Sequence, residues 1–478
     1  MTKNLKGFRR DSALGVYREP SILTTENYDI RTISELKDMN NYDGENARHY
    51  QGTLMLSADD WLAKIIPERS ADLRIIKSET GLPCIINCPE VTMSNPYIND
   101  ESLSKCLQQI KEALEERSDS RIKSVLAVII GSGGGKTRLL EECRRRLNKE
   151  DVGNVVIAVT MNCNTMYSFS RERYFKGSNN LPLSMILSIL SRVLMVTHDL
   201  SFEDSRDIIK SNLLCLDIQS SSNKLVFFFR SAIRRIIRSI ETATGYPLKR
   251  LVLMVDEVMM IKEINIQYLQ QNEKNDVAPM FEEFLESIRQ ALLNEPFKSI
   301  DGAIVQSTLV ISSLSYTTAD IALSFRPIHF LKIPALSVED VVSKWLLYDV
   351  NSEINSQDKF HLQLIAQTLL GVPRLLELAK YFILGNCINK TDSVLILEPS
   401  SIKKLYEYIF ESITSRYIVG LPSSEKLLAL VYGENTSVDS EYLNLLAQSY
   451  FFNTTTGLKI LYPSWMYRDA CDIRSLSK

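Results

Sequence analysis

The chain has 478 residues, of which 45% are apolar and 24% charged, and its formal net charge is −3. This length predicts two or three domains with a large core, and the composition is ordinary for a globular protein. A charge so near zero excludes a general attraction to nucleic acid or anionic membranes, although a local basic surface stays open. Apolar runs are too short to span a membrane and the polar start lacks a signal-peptide core, so we expect an intracellular protein, cytoplasmic or nuclear, without a membrane partner.

The eight cysteines and four histidines do not form a recognisable site. Cys84 and Cys88 are the only close cysteine pair, and no second pair follows at zinc-site spacing. We therefore expect reduced thiols that mostly fill the core. The histidines lie far apart in the sequence and predict neither a metal site nor a catalytic triad.

Residues 1–100 are predicted to form an N-terminal region that is partly disordered. The first 45 or so are polar, and the short apolar pieces that follow are interrupted by prolines, so the pattern does not define their fold. Apolar residues then recur at helical spacing over 101–117, which predicts a helix at the start of a core over 101–336.

Residues 124–142 contain an apolar run, a glycine-rich loop and a helical pattern, the order that is typical of a phosphate-binding P-loop. Glycines allow backbone N–H groups to surround phosphate oxygens, Lys136 can reach the β- and γ-phosphates, and the Thr137 hydroxyl can hold Mg²⁺. The predicted nucleotide-binding residues are Gly131, Ser132, Gly133, Gly134, Gly135, Lys136, Thr137 and Arg138.

The loop departs from the common pattern at its start, where the first glycine is replaced by Ile130 and Gly131 comes one place late. The alternative interpretation is a glycine-rich turn that joins a strand to a helix without binding phosphate. The strand, loop and helix occur in the required order, which favours the P-loop.

Residues 250–258 form a second chemical pattern, an apolar run that ends in two acids. Such a run predicts a buried parallel strand with carboxylates at its carboxyl end, which is a Walker B pattern. Asp256 is predicted to bind Mg²⁺ through water, and Glu257 to polarise the attacking water. Many strands end in an acid, so the Walker B interpretation depends on the P-loop that precedes it.

The remaining segments predict an α/β fold with a parallel sheet of five strands. Further strands are expected over 154–160, 308–313 and 328–333, and further helices over 182–243 and 278–294. One of these helices has a basic face, for which a solvated surface and an anion-binding surface are the two interpretations. Its basic residues are Arg230, Arg234, Arg235 and Arg238.

The strand order resembles that of the additional-strand P-loop ATPases, especially their AAA+ and STAND relatives. The resemblance implies three further functional positions: a polar sensor at Ser312 and Ser313, an arginine finger at Arg326, and a second sensor at Arg374 in Gly371-Val372-Pro373-Arg374. Simpler interpretations remain for each: hydroxyls that cap a turn, a salt bridge to a helix end, and a surface cation. Together with Glu257, these four form the predicted catalytic set.

The combination of Ser-Ser-Leu, Arg-Pro-Ile and Gly-x-Pro-Arg-Leu-Leu looks most like the ATPase module of Crinkler effectors and retrotransposon-hot-spot proteins, over roughly residues 120–385. The N-terminal targeting motif of that family is missing, and no nuclease or kinase motif is visible. The resemblance implies a P-loop NTPase core with a helical lid over 337–400. Residues 401–478 are expected to form a helical or winged-helix-like module, with a hairpin near 454–462 after a helix over 441–450.

Two functions of different classes remain open. The first is Mg²⁺-dependent hydrolysis of ATP, and the second is a nucleotide-controlled switch or scaffold that turns over very slowly. A nucleic-acid-dependent motor is a third interpretation, which requires a basic channel. The expected partners are ATP or ADP and a protein or DNA bound by the C-terminal module, and a homo-oligomer would allow Arg326 to act in a neighbour's site.

Overall fold

A computed structural model of the chain describes most of the predicted core and the helical region that follows it. The described residues are 29–30, 54–55, 57–66, 97–98, 100–115, 124–130, 134–161, 165–175, 180–198, 200–213, 222–269, 277–313, 328–331, 333, 336–346, 355–369, 372–387, 395, 397–417, 451–454 and 457–460. Within these ranges, no helix has both the length and the apolar content needed to cross a bilayer.

The N-terminal part contributes two short strands and two helices. Strand β1 (Asp29–Ile30) pairs antiparallel with β2 (Leu54–Met55), and helices α1 (Ala58–Ile65) and α2 (Asp100–Glu115) follow. Helix α1 begins at Ser57, whose side chain accepts a hydrogen bond from the backbone N–H of Asp60. Helix α2 confirms the predicted helix, and its apolar face, including Leu103 and Ile110, belongs to the main core.

A parallel sheet forms the centre of the structure. Its strands are β3 (Val125–Ile129), β4 (Asn154–Thr160), β5 (Arg250–Asp256), β6 (Phe297–Lys298), β7 (Ile304–Ser313) and β8 (Ile328–Phe330). Five of them are parallel, in the spatial order β4-β5-β7-β3-β8, which confirms the predicted five-stranded P-loop NTPase sheet. The short β6, which the sequence did not predict, pairs antiparallel with the start of β7.

Strands β4 and β5 are apolar runs because both faces of each strand are buried. All seven residues of β4 are buried, as are six of the seven residues of β5. The described helices between β3 and β6 are α3 (Lys136–Glu150), α4 (Phe169–Glu172), α5 (Leu181–Thr197), α6 (Phe202–Asn212), α7 (Ser222–Thr244), α8 (Met259–Leu269) and α9 (Val277–Leu293). Helix α5 is buried on all sides, which its mainly apolar sequence explains.

The basic helix α7 does not fit either sequence interpretation at Arg230. The Arg230 side chain is only 8% exposed. Its Nη1 donates to the carbonyl oxygens of Ala291 (2.9 Å) and Glu295 (2.8 Å), and its Nη2 to that of Pro296 (2.9 Å). Arg230 therefore supplies donors to one carbonyl group in the last turn of α9 and to two just after the helix. Arg234 and Arg238 are exposed, as a solvated face requires.

The region after β8 is mainly helical, as predicted. It contains α10 (Val338–Asp340), which continues as one π-helical segment (Val341–Leu346), then α11 (Ser356–Thr368), α12 (Pro373–Asn386) and α13 (Pro399–Tyr417). These helices share a second apolar core that includes Trp345, Leu362 and Leu376. The last described residues form an antiparallel hairpin of β9 (Phe451–Thr454) and β10 (Gly457–Ile460), where a hairpin was predicted. The helix predicted over 441–450 lies outside the described residues, so the winged-helix module stays a prediction.

Candidate functional site

Five of the predicted site residues meet at the carboxyl edge of the sheet. Lys136 and Thr137 begin α3 after strand β3, Asp256 and Glu257 follow from β5, and Ser312 lies near the end of β7. Strand β7 runs between β3 and β5, so Ser312 lies at the same edge of the sheet as the lysine and the two acids. Parallel strands end at the same edge, which is why residues far apart in sequence converge here.

The glycines before α3 are required by space and by backbone conformation. A Cβ atom on Gly134 would lie 2.8 Å from Cδ1 of Ile130, too close for any other residue without rearrangement. Gly135 precedes the first helical residue with φ of 90°, in the left-handed region that glycine adopts freely. The loop therefore turns sharply into α3 and presents the amino end of that helix to the site.

Lys136 lies inside the site and does not extend into solvent. Its Nζ donates to the carbonyl oxygen of Ile130 at 2.9 Å and lies 3.3 Å from Oε1 of Glu257. The lysine and glutamate side chains are 4% and 8% exposed, respectively. A cation so well shielded from water interacts strongly with any anion that reaches it.

Three hydroxyl groups surround the Asp256 carboxylate. Thr137 Oγ1 donates to Oδ2 at 3.2 Å, Thr160 Oγ1 donates to the same oxygen at 3.3 Å, and Ser312 Oγ donates to Oδ1. Burial raises the pKa of Asp256 above its ordinary value, and the hydrogen bond from Ser312 and the charge of Lys136 counteract that rise.

Glu257 has an unusual backbone conformation, with φ of 56° in the left-handed region. Its backbone N–H donates to Ser312 Oγ at 3.0 Å, and the backbone N–H of Val258 donates to the carbonyl oxygen of Ser312 at 3.1 Å. These bonds hold the turn after β5 against β7. Burial raises the pKa of Glu257, Lys136 opposes that effect, and the charge of Asp256 adds to it.

The site has the donor chemistry that a magnesium nucleotide requires. Carboxylate and hydroxyl oxygens are the protein ligands that Mg²⁺ prefers, and Thr137 and Asp256 bring one of each into hydrogen-bond contact. The buried ammonium of Lys136 and the amino end of α3 suit phosphate oxygens. The described residues therefore fit both groups without rearrangement of the sheet.

Other predicted site residues lie elsewhere or have other partners. Arg138 forms an ion pair with Glu142 one turn along α3 (2.6 Å), and Arg374 pairs with Glu377 in α12 (3.1 Å). Ser313 is buried, and its carbonyl oxygen accepts a hydrogen bond from the backbone N–H of Ile130 at 3.4 Å. The remaining predicted residues lie outside the described part of the chain. They are Gly131, Ser132, Gly133 and Arg326.

The start of α12 lies directly against the glycine loop. A Cβ atom on Gly135 would lie 3.4 Å from Cγ and 3.9 Å from Cβ of Pro373. Pro373 is the first residue of α12, and Arg374 is the next. The helical region thus touches the loop where the resemblance to AAA+ proteins places a second sensor.

Two polar residues at the site were not predicted. Thr160 ends β4 with its hydroxyl at Asp256, and a strand that ends in a hydroxyl residue was a signal that the sequence contained. Glu263 lies on α8, where burial and the charge of Glu257 raise its pKa to about 7, against a smaller opposing effect of Lys262. Nothing in the local pattern of α8 marks Glu263, because its neighbours at the site come from other elements.

Comparison with known proteins gives only distant structural similarity. No protein-family model and no curated protein sequence matches the chain. Among solved structures, it is similar to the Aeropyrum pernix ORC2 protein in ADPNP-ADP complexes, with 14% identity, a TM-score of 0.37, and coverage of 80% of this chain and 81% of that chain. It is also similar to a mutant of Thermotoga maritima RuvB, with 14% identity, a TM-score of 0.33, and coverage of 79% and 95%.

A third similar structure is C. elegans PCH-2, with 12% identity, a TM-score of 0.33, and coverage of 72% of this chain and 76% of that chain. Identities and TM-scores this low transfer no residue role and no activity. The strand order and the loop of this chain themselves define the fold class, an α/β P-loop NTPase sheet with a helical C-terminal region.

Proposed function

We propose that this protein binds ATP with Mg²⁺ and hydrolyses it. The observation that carries the proposal is the meeting of the half-buried Thr137 with the buried Lys136, Asp256 and Glu257 in one cluster at the carboxyl ends of β3 and β5. A buried cation, a hydroxyl, a carboxylate and a second carboxylate are the groups that phosphoryl transfer to water uses. Buried charges are costly, so an assembly of this kind favours function over packing.

In the proposed complex, the glycine loop holds the phosphates and Lys136 binds the β- and γ-phosphate oxygens. Thr137 and Asp256 would hold Mg²⁺, which would neutralise charge on the phosphates. Ser312 keeps Asp256 and the turn at Glu257 in register, because its hydroxyl contacts both residues. These groups act by position and charge and require no covalent intermediate with the protein.

Glu257 is the proposed general base. The oxygen of a water molecule attacks the γ-phosphorus, the bond to the β–γ bridging oxygen breaks, and the water's proton passes to the Glu257 carboxylate. A buried carboxylate with a raised pKa is a stronger base than an exposed one. Phosphate oxygens that take over Lys136 would release Glu257 from its ion pair and free it for this role.

A slow nucleotide-controlled switch is the second candidate, and the contact between Gly135 and Pro373 favours it. A movement of the loop on nucleotide binding would displace the start of α12, and with it the helical region. A steady-state assay of phosphate release distinguishes the two, since a switch turns over far below typical enzyme rates of about 1–10³ s⁻¹.

Partners and assembly remain proposals. A protein or DNA partner of the C-terminal module, a homo-oligomer in which Arg326 completes a neighbour's site, and the likeness to Crinkler effectors all rest on the sequence. Mixing Arg326→Ala chains with Lys136→Ala chains tests the shared site, since each would supply what the other lacks. Activity that is not restored by mixing would reject the shared site.

The decisive test of nucleotide binding is Lys136→Ala. Loss of the buried cation should abolish measurable binding of a non-hydrolysable ATP analogue in calorimetry, because phosphate charge would face an uncompensated site. Lys149→Ala, an exposed lysine of the same helix, is the matched control and should bind normally. Unchanged affinity of a folded Lys136→Ala protein would reject the proposed function.

A further inference from the structure

Helix α5 contains a charged residue where its sequence is otherwise almost wholly apolar. Arg192 is fully buried, with 0% of its side chain exposed, and so is its partner Glu172 in α4. Arg192 Nη1 lies 2.6 Å from Glu172 Oε2, and Nη2 donates to Oε1 at 3.1 Å. This is a bidentate ion pair, and both side chains are shielded from solvent.

The same guanidinium also donates to the backbone where the chain leaves β4. Nε donates to the carbonyl oxygens of Thr160 and Thr165, both at 3.1 Å, and Nη2 donates to that of Thr165 at 2.5 Å. Nη1 also donates to the carbonyl oxygen of Ser188. Arg192 therefore connects the end of β4, the strand at one edge of the sheet, to both α4 and α5.

Thr160 connects this network to the candidate metal site. Its carbonyl oxygen accepts from Arg192 and from Thr165 Oγ1 (2.8 Å), while its own hydroxyl donates to Asp256 Oδ2. The backbone N–H of Met161 donates to the carbonyl oxygen of Asp256 at 3.0 Å. Because the carbonyl and the hydroxyl belong to one residue, fixing the first restricts where the second can point.

A buried ion pair is weak evidence for stability, since an apolar pair of similar size often packs as well. Here the bonds of the pair converge on carbonyl groups beside Asp256, which an apolar pair could not hold. This arrangement therefore fixes the backbone geometry at the end of β4.

We propose that Arg192 is a positioning residue for the Mg²⁺ site, acting through Thr160 to hold Asp256 Oδ2 toward Thr137. The inference rests on the proposed function, and it adds Arg192, Glu172 and Thr160 to the residues on which that function depends. Without the Thr160 hydroxyl, Oδ2 has one hydroxyl partner, Thr137, instead of two. The Asp256 carboxylate can then rotate away from the position that suits the metal. Metal binding weakens, while contacts of Lys136 with phosphate are untouched.

The first experiment compares Thr160→Val with Thr160→Ser. Binding of Mn²⁺ to the full chain with a non-hydrolysable ATP analogue is followed by electron paramagnetic resonance, and analogue affinity is measured separately in excess chelator. Thr160→Val should weaken Mn²⁺ binding about tenfold, the change expected for one lost hydrogen bond to a charged group. Thr160→Ser should behave as wild type, and metal-free affinity should be equal in all three proteins.

The second experiment asks whether Arg192 acts through Thr160. Arg192→Lys should weaken Mn²⁺ binding to a similar extent, and the double variant with Thr160→Val should be no weaker than either single variant. Circular dichroism establishes folding first. If Arg192→Lys does not fold, Glu172→Gln, which keeps the shape of the partner, takes its place in the same cycle.

The outcomes separate the two proposals. Wild-type protein that binds neither the analogue nor Mn²⁺ overturns the proposed function and this inference with it. Normal wild-type binding with an unchanged Mn²⁺ affinity in Thr160→Val overturns the positioning role alone. Additive losses in the double variant would show that Arg192 does not act through Thr160 and would overturn the inference as well.

Discussion

Lys136 and Glu257 form a buried ion pair in which Nζ lies 3.3 Å from Oε1. The two side chains that the proposed reaction needs most thus neutralise each other across the site. Phosphate oxygens would compete for the lysine, so nucleotide binding and release of the base become one event. Substitution of the two members should therefore have different effects. Loss of the lysine should abolish nucleotide binding, whereas loss of the glutamate should slow turnover.

Glu257→Gln should retain ATP binding and slow hydrolysis by roughly 10²-fold or more, because a positioned general base is lost. Steady-state phosphate release gives the rate, and calorimetry with a non-hydrolysable analogue gives the affinity. Glu282→Gln, an exposed carboxylate on α9, is the control. Wild-type turnover in Glu257→Gln would mean that the base lies elsewhere.

Ser312→Ala should reduce activity more than Ser313→Ala, although the two serines are neighbours and equally buried. The Ser312 hydroxyl contacts both Asp256 and the backbone N–H of Glu257, so its loss removes one hydrogen bond from each acid. Ser312→Ala should also lower the free energy of unfolding by about 1–3 kcal/mol, the cost of leaving buried groups without a partner. Rates and urea unfolding of the two variants are compared. Equal effects on rate would contradict the assigned contact.

Gly135→Ala should impair nucleotide binding and destabilise the fold. Alanine in the left-handed region costs roughly 1–2 kcal/mol, and its Cβ would also contact Pro373 at 3.4 Å. Gly245→Ala is a close control, because Gly245 also has positive φ but nothing within 4 Å of the added atom. Calorimetry and urea unfolding should show the larger loss for Gly135→Ala. Normal affinity in that variant would argue against the loop as the phosphate site.

Glu263 should make stability depend on pH between its ordinary pKa of 4.5 and its raised value of about 7. The folded state holds the proton more tightly than the unfolded chain. Its contribution is therefore fully present below pH 4.5 and is lost as the pH rises through about 7. Glu263→Gln should remove that decline, which urea unfolding at a series of pH values measures.

Glu257→Gln provides a second check on the same group. It should lower the pKa of Glu263, because the charge of Glu257 is one cause of the rise. Carboxyl NMR of Glu263 in the two backgrounds tests this coupling. A pKa that is identical in both proteins would contradict it.

The local part of the site could be predicted from the sequence, because each motif is a short pattern with its own chemistry. Lys136 and Thr137 follow a strand and a glycine loop, and Asp256 and Glu257 end an apolar run. Their spatial order, with β7 between β3 and β5, is given by the pairing of the strands in the structure.

Contacts between distant elements could not be predicted. Arg192 is the one strongly polar residue within an apolar helix, yet its partner Glu172 lies twenty positions away, and no spacing rule joins the two. Arg230 shows the same limit, since helical periodicity defines a face but not the segment that covers it. The resemblance to AAA+ proteins likewise names Arg326 without showing its surroundings.

The positive φ of Glu257 is a backbone conformation that favours glycine, whereas the proposed chemistry requires a carboxylate at this position. A residue with a side chain in such a conformation costs on the order of 1–3 kcal/mol, whereas glycine would adopt it freely. The residue that this turn favours is therefore glycine, which has no side chain that could accept a proton. A search for stabilising substitutions would select glycine at position 257 and would discard the proposed activity in doing so.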